Sequence, residues 1–148
     1  MSNCDINQTF LEPTQDAGRL FIMRQIQGPV FMLNLLRFRE VADYKENPEL
    51  QPTDSISGAE AFQLYIDHTL PFLIECGGKI VFLGKGGHYL IGPIGEKWDM
   101  VMLVEQSSVD AFIAFAGNQE YLNGLGHRIA ALQDSRLLPL ESLPAITT

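Results

Sequence analysis

The chain has 148 residues, 46% of them hydrophobic and 19% charged, with a formal net charge of -8. That length suits one domain burying roughly 68–70% of its unfolded surface unaided, and no apolar run approaches the ~18 residues of a membrane-spanning helix. The acidic balance repels phosphate backbones and no Lys/Arg cluster offsets it, so nucleic acid is excluded as an expected partner.

The opening MSNCDINQTF has neither a basic n-region nor an apolar h-region, which makes the cytoplasm the expected compartment. Cys4, in this polar leader, and Cys76, just before Gly77 and Gly78, stand outside any metal or redox spacing and read as free thiols. Thr14 is placed to cap a first helix whose apolar residues Ala17, Leu20, Phe21, Met23 and Ile26 form a stripe, with Gly28 and Pro29 as its stop.

Strand one follows over residues 30–39 and is apolar on both faces, so both faces need cover. Helices can supply one layer, and a second copy of the chain can supply the other. Period-two alternation sets Met32, Asn34, Leu36 and Phe38 on one face and Leu33, Leu35 and Arg37 on the other. Residues 40–57 lose all periodicity and contain two prolines, as a long loop does.

Ser57 and Glu60 form a capping box for helix two, with Phe62, Tyr65, Ile66, Thr69, Leu70 and Leu73 at helical spacing and a bend expected from Pro71. Strand two is expected over residues 79–92, bulged at its glycines, followed by the turn GPIGEK and by strand three over residues 98–105. Ser107 or Ser108 caps helix three, Asn118 caps a further helix carrying Tyr121, Leu122, Leu125 and Ile129, and DSRLLPL forms strand four.

The order is therefore β-α-β-β-α-β, which predicts an α+β, ferredoxin-like domain with a four-stranded antiparallel sheet and helices on one face. The expected division is an N-terminal helical extension over residues 1–28, the domain over 29–141 and a tail over 142–148.

Polar residues on these apolar elements are the candidates for chemistry. A buried Asn34 must spend its amide on backbone, on a neighbouring side chain or on a ligand. Trp98 either fills core or walls an apolar pocket, and Asp99 beside it pairs with an arginine or acts as a base. Tyr121, Leu125 and Arg128 share one helical face, so the Arg128 guanidinium must reach solvent, an internal carboxylate or an anionic ligand.

His68, beside Pro71, is the best placed of the three histidines to act as a general base, so His68 and Asp99 are the candidate catalytic residues. Asn34, Trp98 and Arg128 are the candidate ligand-binding residues. Asp134, Ser135 and Arg136 read as the solvated end of strand four or as an intersubunit ion pair. No HxH or HExxH spacing occurs, GKGG at residues 84–87 lacks the phosphate-loop spacing, and no metal or cofactor is expected.

Strand one with Asn34, the GGK at 77–79, Trp98 with Asp99, VEQSSVDAF, NQEY with Arg128 seven residues after Tyr121, and DSRLLPL together resemble the family known as domain of unknown function thirteen-thirty. That family is similar in turn to the dimeric α+β barrel superfamily, and the resemblance covers residues from about 28 to 140. It implies a homodimer with two sheets packed face to face and a pocket in each subunit between sheet and neighbouring elements. The superfamily hosts cofactor-free monooxygenases, lactone isomerases, haem enzymes and non-catalytic binders, so the fold alone selects no chemistry. The first helix and the 40–57 loop depart from its shorter members.

Two functions follow as expectations. One is a binder of a small, partly apolar molecule or a cofactor-independent monooxygenase- or isomerase-like enzyme, with Asn34 orienting a carbonyl or enolate oxygen and Arg128 holding an anion. The other is a non-catalytic interaction or accessory dimer whose barrel is filled by Met32, Leu36, Phe38, Met100, Met102 and Val104.

Overall fold

The computed structural model describes residues 8–144, and Cys4 lies outside them. Thr14 Oγ1 accepts from the backbone N–H of Ala17 at 3.0 Å and starts α1, Gln15–Met23. This helix ends ahead of the expected Gly28 and Pro29. Arg24 and Gln25 donate to Phe21 and Ile22 in a tightened last turn, and Gln25 takes the left-handed φ of 49° that ends the run.

The strands are β1 (Val30–Phe38), β2 (Lys79–Lys85), β3 (Met100–Gln106) and β4 (Leu132–Glu141), in a single antiparallel sheet of order β2-β3-β1-β4. With helices between β1 and β2 and between β3 and β4, this is the ferredoxin-like order, and the fold class is α+β. Helix α2 (Gly58–Glu75) carries the full Ser57–Glu60 capping box and runs on through Pro71. Ser108 caps α3 (Val109–Ala116), Asn118 caps α4 (Gln119–Leu122), and α5 (Leu125–Ala131) leads into β4.

The single helix expected after Asn118 is thus two pieces. Gly124 separates them where the His68 ring presses so close that a side chain at 124 would strike it. Strand two is also shorter than expected. Its ladder stops at Lys85, and residues 86–99 leave the sheet on a neck closed by Gly86 N–H to Asp99 O (3.0 Å) and Trp98 N–H to Gly87 O (3.1 Å). The expected bulge is present, as a register shift between Ile80 and Phe82.

All the helices of the domain pack on one sheet face. Val30, Met32 and Leu36 of β1 join Ala61, Phe62, Tyr65 and Leu73 of α2 in the core. Met32, Leu36, Met102 and Val104 therefore face the helices, with Phe38 and Met100 packed beside them, and they do not fill a barrel between two sheets. The opposite face is bare. Leu138, Leu33, Leu103 and Phe82 align in one row across all four strands, and Phe82 and Leu138 are 57% and 54% exposed.

The 40–57 loop is pinned to α5. Asp43 N–H donates to Ala130 O and Ala42 N–H to Ile56 O, each at 2.9 Å, and a short 3-10 turn, Pro48–Leu50, brings Asn47 and Leu50 against Gly126.

Candidate ligand-binding site

Between the helix-facing side of the sheet and the helices lies a cavity of about 1220 Å³. It exists because α1 bridges the gap without plugging it. No residue of α1 is fully buried, and the helix leans on the domain through Phe21, edge-on to Phe112 at 6.0 Å, while the Arg24 guanidinium donates to Pro139 O at 2.7 Å. The sheet wall runs from Ser135, opposite Leu36, to Gln106, opposite Val30. That span is roughly 20 Å at ~3.3 Å per strand residue.

Asn34 sits inside this wall, 6% exposed. Its Nδ2 donates to Met32 O at 3.1 Å and to Met102 O at 3.3 Å. Two carbonyls can be satisfied only by the NH₂ end of the amide, which leaves Oδ1 of this cavity-lining residue as its free acceptor. Of the partners weighed from the sequence, backbone takes both Asn34 donors. Donation to a ligand carbonyl or enolate oxygen is therefore not available to it, and what it can still offer is an acceptor.

Arg128 lines the same cavity. Its guanidinium donates to Leu11 O at 2.7 Å and lies 3.4 Å from Ser135 Oγ, and no carboxylate pairs with it among the described residues. Among the described residues, the internal Asp or Glu weighed from the sequence does not pair with it; its uncharged partners come from the segment before α1 and from β4.

Further polar residues line the space, among them Tyr65, Thr69, Gln106 and Tyr121. Tyr65 and Tyr121 hydrogen-bond through their hydroxyls at 2.8 Å, and burial pushes the Tyr121 hydroxyl well above the ordinary tyrosine value, with the neighbouring Tyr65 adding to the rise. Thr69 Oγ1 and Gln106 Oε1 are buried without any hydrogen-bond partner among the described residues. Tyr65, Thr69 and Tyr121 were legible only as members of helical stripes. Gln106 had a readable signal, since it follows Met102 and Val104 at period two on the helix-facing side.

The other candidates lie elsewhere. Trp98 is 2% exposed and outside the cavity wall, its Nε1 donating to Tyr89 Oη at 2.8 Å and Glu96 Oε2 at 3.0 Å. The guanidinium carbons of Arg37 and Arg136 lie 4.9 Å and 5.1 Å from its ring centroid. Asp99 accepts from Phe38 N–H at 2.8 Å through Oδ2, which ties down the end of β1. His68 Nε2 is 2.8 Å from Glu120 O, with its ring beside Phe72. Asn34, Trp98 and Arg128 therefore do not converge; the cavity unites Asn34 with Arg128 alone.

Asp134 is also not at a solvated strand end. It is 4% exposed, and Oδ1 accepts from Phe10 N–H (2.8 Å), Ser135 N–H (2.8 Å) and Arg136 Nη1 (2.7 Å) within one chain. Its charge is neutralised inside the subunit because β4 anchors the segment that leads into α1.

His127 anchors the 40–57 loop through a hydrogen bond between its Nδ1 and the Tyr44 hydroxyl at 2.8 Å. Burial holds its pKa below the ordinary histidine value, with nearby His68 adding to the depression. A histidine lowered on folding stabilises the fold fully above its unfolded pKa of about 6.5, and that contribution is lost as pH falls through the folded value. The urea midpoint is therefore expected to fall between pH 7 and pH 5, and His127→Gln to flatten that fall. An unchanged slope in the variant would assign the loss to other groups.

Comparisons with known proteins bear on the family and the fold. A crystal structure of the RPA0582 protein of unknown function from Rhodopseudomonas palustris matches at 34% identity, over 93% of this chain and 100% of its own, with a TM-score of 0.80. Methylated RPA0582 matches at 35% identity over 92% and 96%, with a TM-score of 0.81. The chain belongs to the RPA0582 family. A dimeric ferredoxin-like protein of unknown function from Jannaschia sp. CCS1 shares the fold at 13% identity, over 78% of this chain and 100% of its own, with a TM-score of 0.51. No family model and no curated protein matches the chain. Among the described residues no helix is long and apolar enough to cross a membrane, and no three His, Cys, Asp or Glu side chains gather.

Proposed function

We propose that this RPA0582-family chain acts as a homodimer, two sheets face to face, in which each subunit binds a small, partly apolar molecule between sheet and helices. The observation that carries the binding reading is the cavity of about 1220 Å³, apolar in most of its wall yet lined by Asn34 and by Arg128, whose guanidinium pairs with no carboxylate among the described residues. A cationic side chain beside an apolar wall favours an anionic partner. The dimer is supported by the bare apolar row Leu138–Leu33–Leu103–Phe82.

Within this reading, binding is favoured over cofactor-independent monooxygenation or isomerisation, because His68 and Asp99 are both outside the cavity wall and hydrogen-bonded to backbone. A cytoplasmic site of action and membership of the thirteen-thirty family remain part of the proposal, the first resting on composition and the second on the short motifs quoted above. Native mass spectrometry of freshly purified protein tests the whole reading. The expected spectrum shows twice the 16.5 kDa chain mass with an added mass on each subunit that denaturation removes. A bare monomer would overturn both parts.

A further inference from the structure

We infer that the ligand is an elongated apolar carboxylic acid whose carboxylate is held by Arg128 and whose body carries a hydrogen-bond donor for Asn34 Oδ1. This rests on the cavity being a binding site and adds the chemical class of what fills it.

The charge argument selects an anion. A guanidinium has five N–H donors, and among the described residues those of Arg128 meet a carbonyl and a hydroxyl but no carboxylate, Glu12 bordering the cavity without pairing to it, so its positive charge is unpaired beside a largely apolar wall. The planar fork matches a carboxylate with two parallel hydrogen bonds. A single charge is selected because the other cations bordering the cavity are otherwise engaged. Arg136 is paired with Asp134 at 2.7 Å, and Arg24 is an exposed residue whose charge is solvated at the surface.

The shape argument selects an elongated apolar body. The wall extends along β1 from Ser135, beside Arg128, to Gln106 at the far end, past Met32, Met102 and Val104. The orientation of Asn34 then sets the functional group along that body. With Nδ2 committed to Met32 O and Met102 O, Oδ1 accepts only, so the ligand supplies a hydroxyl or N–H. Asn34 lies two strand residues from Leu36, the partner of Ser135, so that donor sits about 7 Å along the strand from the carboxylate end. The Tyr65–Tyr121 pair shares one hydroxyl proton and leaves the other for a ligand acceptor.

The test uses the full chain and N-phenyl-1-naphthylamine, a neutral apolar dye that fluoresces in dry cavities. Dodecanoate, dodecanol, dodecyl phosphate and a set of monohydroxydodecanoates compete for the dye. Dodecanoate is expected to displace it at least about tenfold better than dodecanol, as a charge-assisted pair allows. Arg128→Met should remove that advantage, so that dodecanoate and dodecanol displace the dye about equally. One hydroxy isomer should exceed dodecanoate about threefold or more, a gain that Asn34→Leu removes, as expected for one net hydrogen bond.

Dodecanol matching dodecanoate in the wild-type protein would overturn the carboxylate, whether or not the variants fold. Dodecyl phosphate about tenfold tighter than dodecanoate would reassign the anion, and no gain from any hydroxy isomer would overturn the donor. In each of those cases dye binding still supports a cavity that binds. Failure of the dye and of every chain to bind would overturn the binding reading and this inference together.

Discussion

Gly58→Ala will destabilise the protein by about 3 kcal/mol or more, a large share of the roughly 5–15 kcal/mol that holds a domain together. Gly58 is the first residue of α2 and is buried where three pieces of backbone meet. Its N–H donates to Arg39 O at 3.0 Å, and Arg39 N–H donates to Ala131 O at 2.8 Å. A Cβ added at Gly58 would collide with Arg39 O and lie 2.6 Å from Ala131 O.

Both obstacles are carbonyls fixed by hydrogen bonds, so no side chain can swing aside. The end of β1, the end of α5 and the start of α2 would have to separate. Gly18→Ala is the control. It lies in α1 with nothing within 4 Å of the added methyl, and it should gain about 0.5–1 kcal/mol from helix propensity. Urea denaturation measures both, and a Gly58→Ala loss below about 1 kcal/mol would show that this junction is softer than its geometry implies.

Leu33→Glu is expected to leave only folded monomer at micromolar concentration where the wild-type chain forms the proposed face-to-face dimer. Leu33 is central in the bare face, with Leu103 opposite on β3 and Leu138 on β4. In the proposed dimer, two-fold symmetry would place one such carboxylate from each subunit in the same apolar interface. Burying an unpaired charge costs several kcal/mol, and every 1.4 kcal/mol weakens association about tenfold. Sedimentation velocity should show half the wild-type mass, with an unchanged far-ultraviolet spectrum. Leu64→Glu, on the exposed side of α2, should leave the dimer intact. A dimer that survives Leu33→Glu would mean that subunits meet through another face.

The capped elements were readable in the sequence because their signals are local. Thr14, Ser57 with Glu60, Ser108 and Asn118 each make the capping hydrogen bond that their spacing implies. Alternation along β1 likewise assigned Asn34 and Leu33 to opposite faces. The errors arose where distant contacts override local pattern. The apolar run after Lys85 is strand-like in composition, yet Leu90, Ile91 and Ile94 are 100%, 92% and 88% exposed on an excursion closed at its neck by Gly86, Gly87, Trp98 and Asp99.

The site shows the same division. Asn34 and Arg128 stood out in sequence because each breaks an apolar pattern, and both line the cavity. Trp98, Asp99 and His68 stood out for similar reasons, but their partners are Tyr89 and Glu96, Phe38 N–H and Glu120 O. A polar residue on an apolar element signals an obligation to be hydrogen-bonded, and a ligand is only one way to meet it.

The order of elements, the two-sided strand β1 and the polar positions within it were determined by the sequence alone, since period and capping act over a few residues. Which groups share a cavity was decided only by the tertiary structure. Two backbone carbonyls, from Met32 and Met102, turn Asn34 into an acceptor, and the distant Leu11 and Ser135 hold an arginine that has no carboxylate partner among the described residues. Those contacts form when β3, β4 and the segment before α1 come together, and no local pattern encodes them.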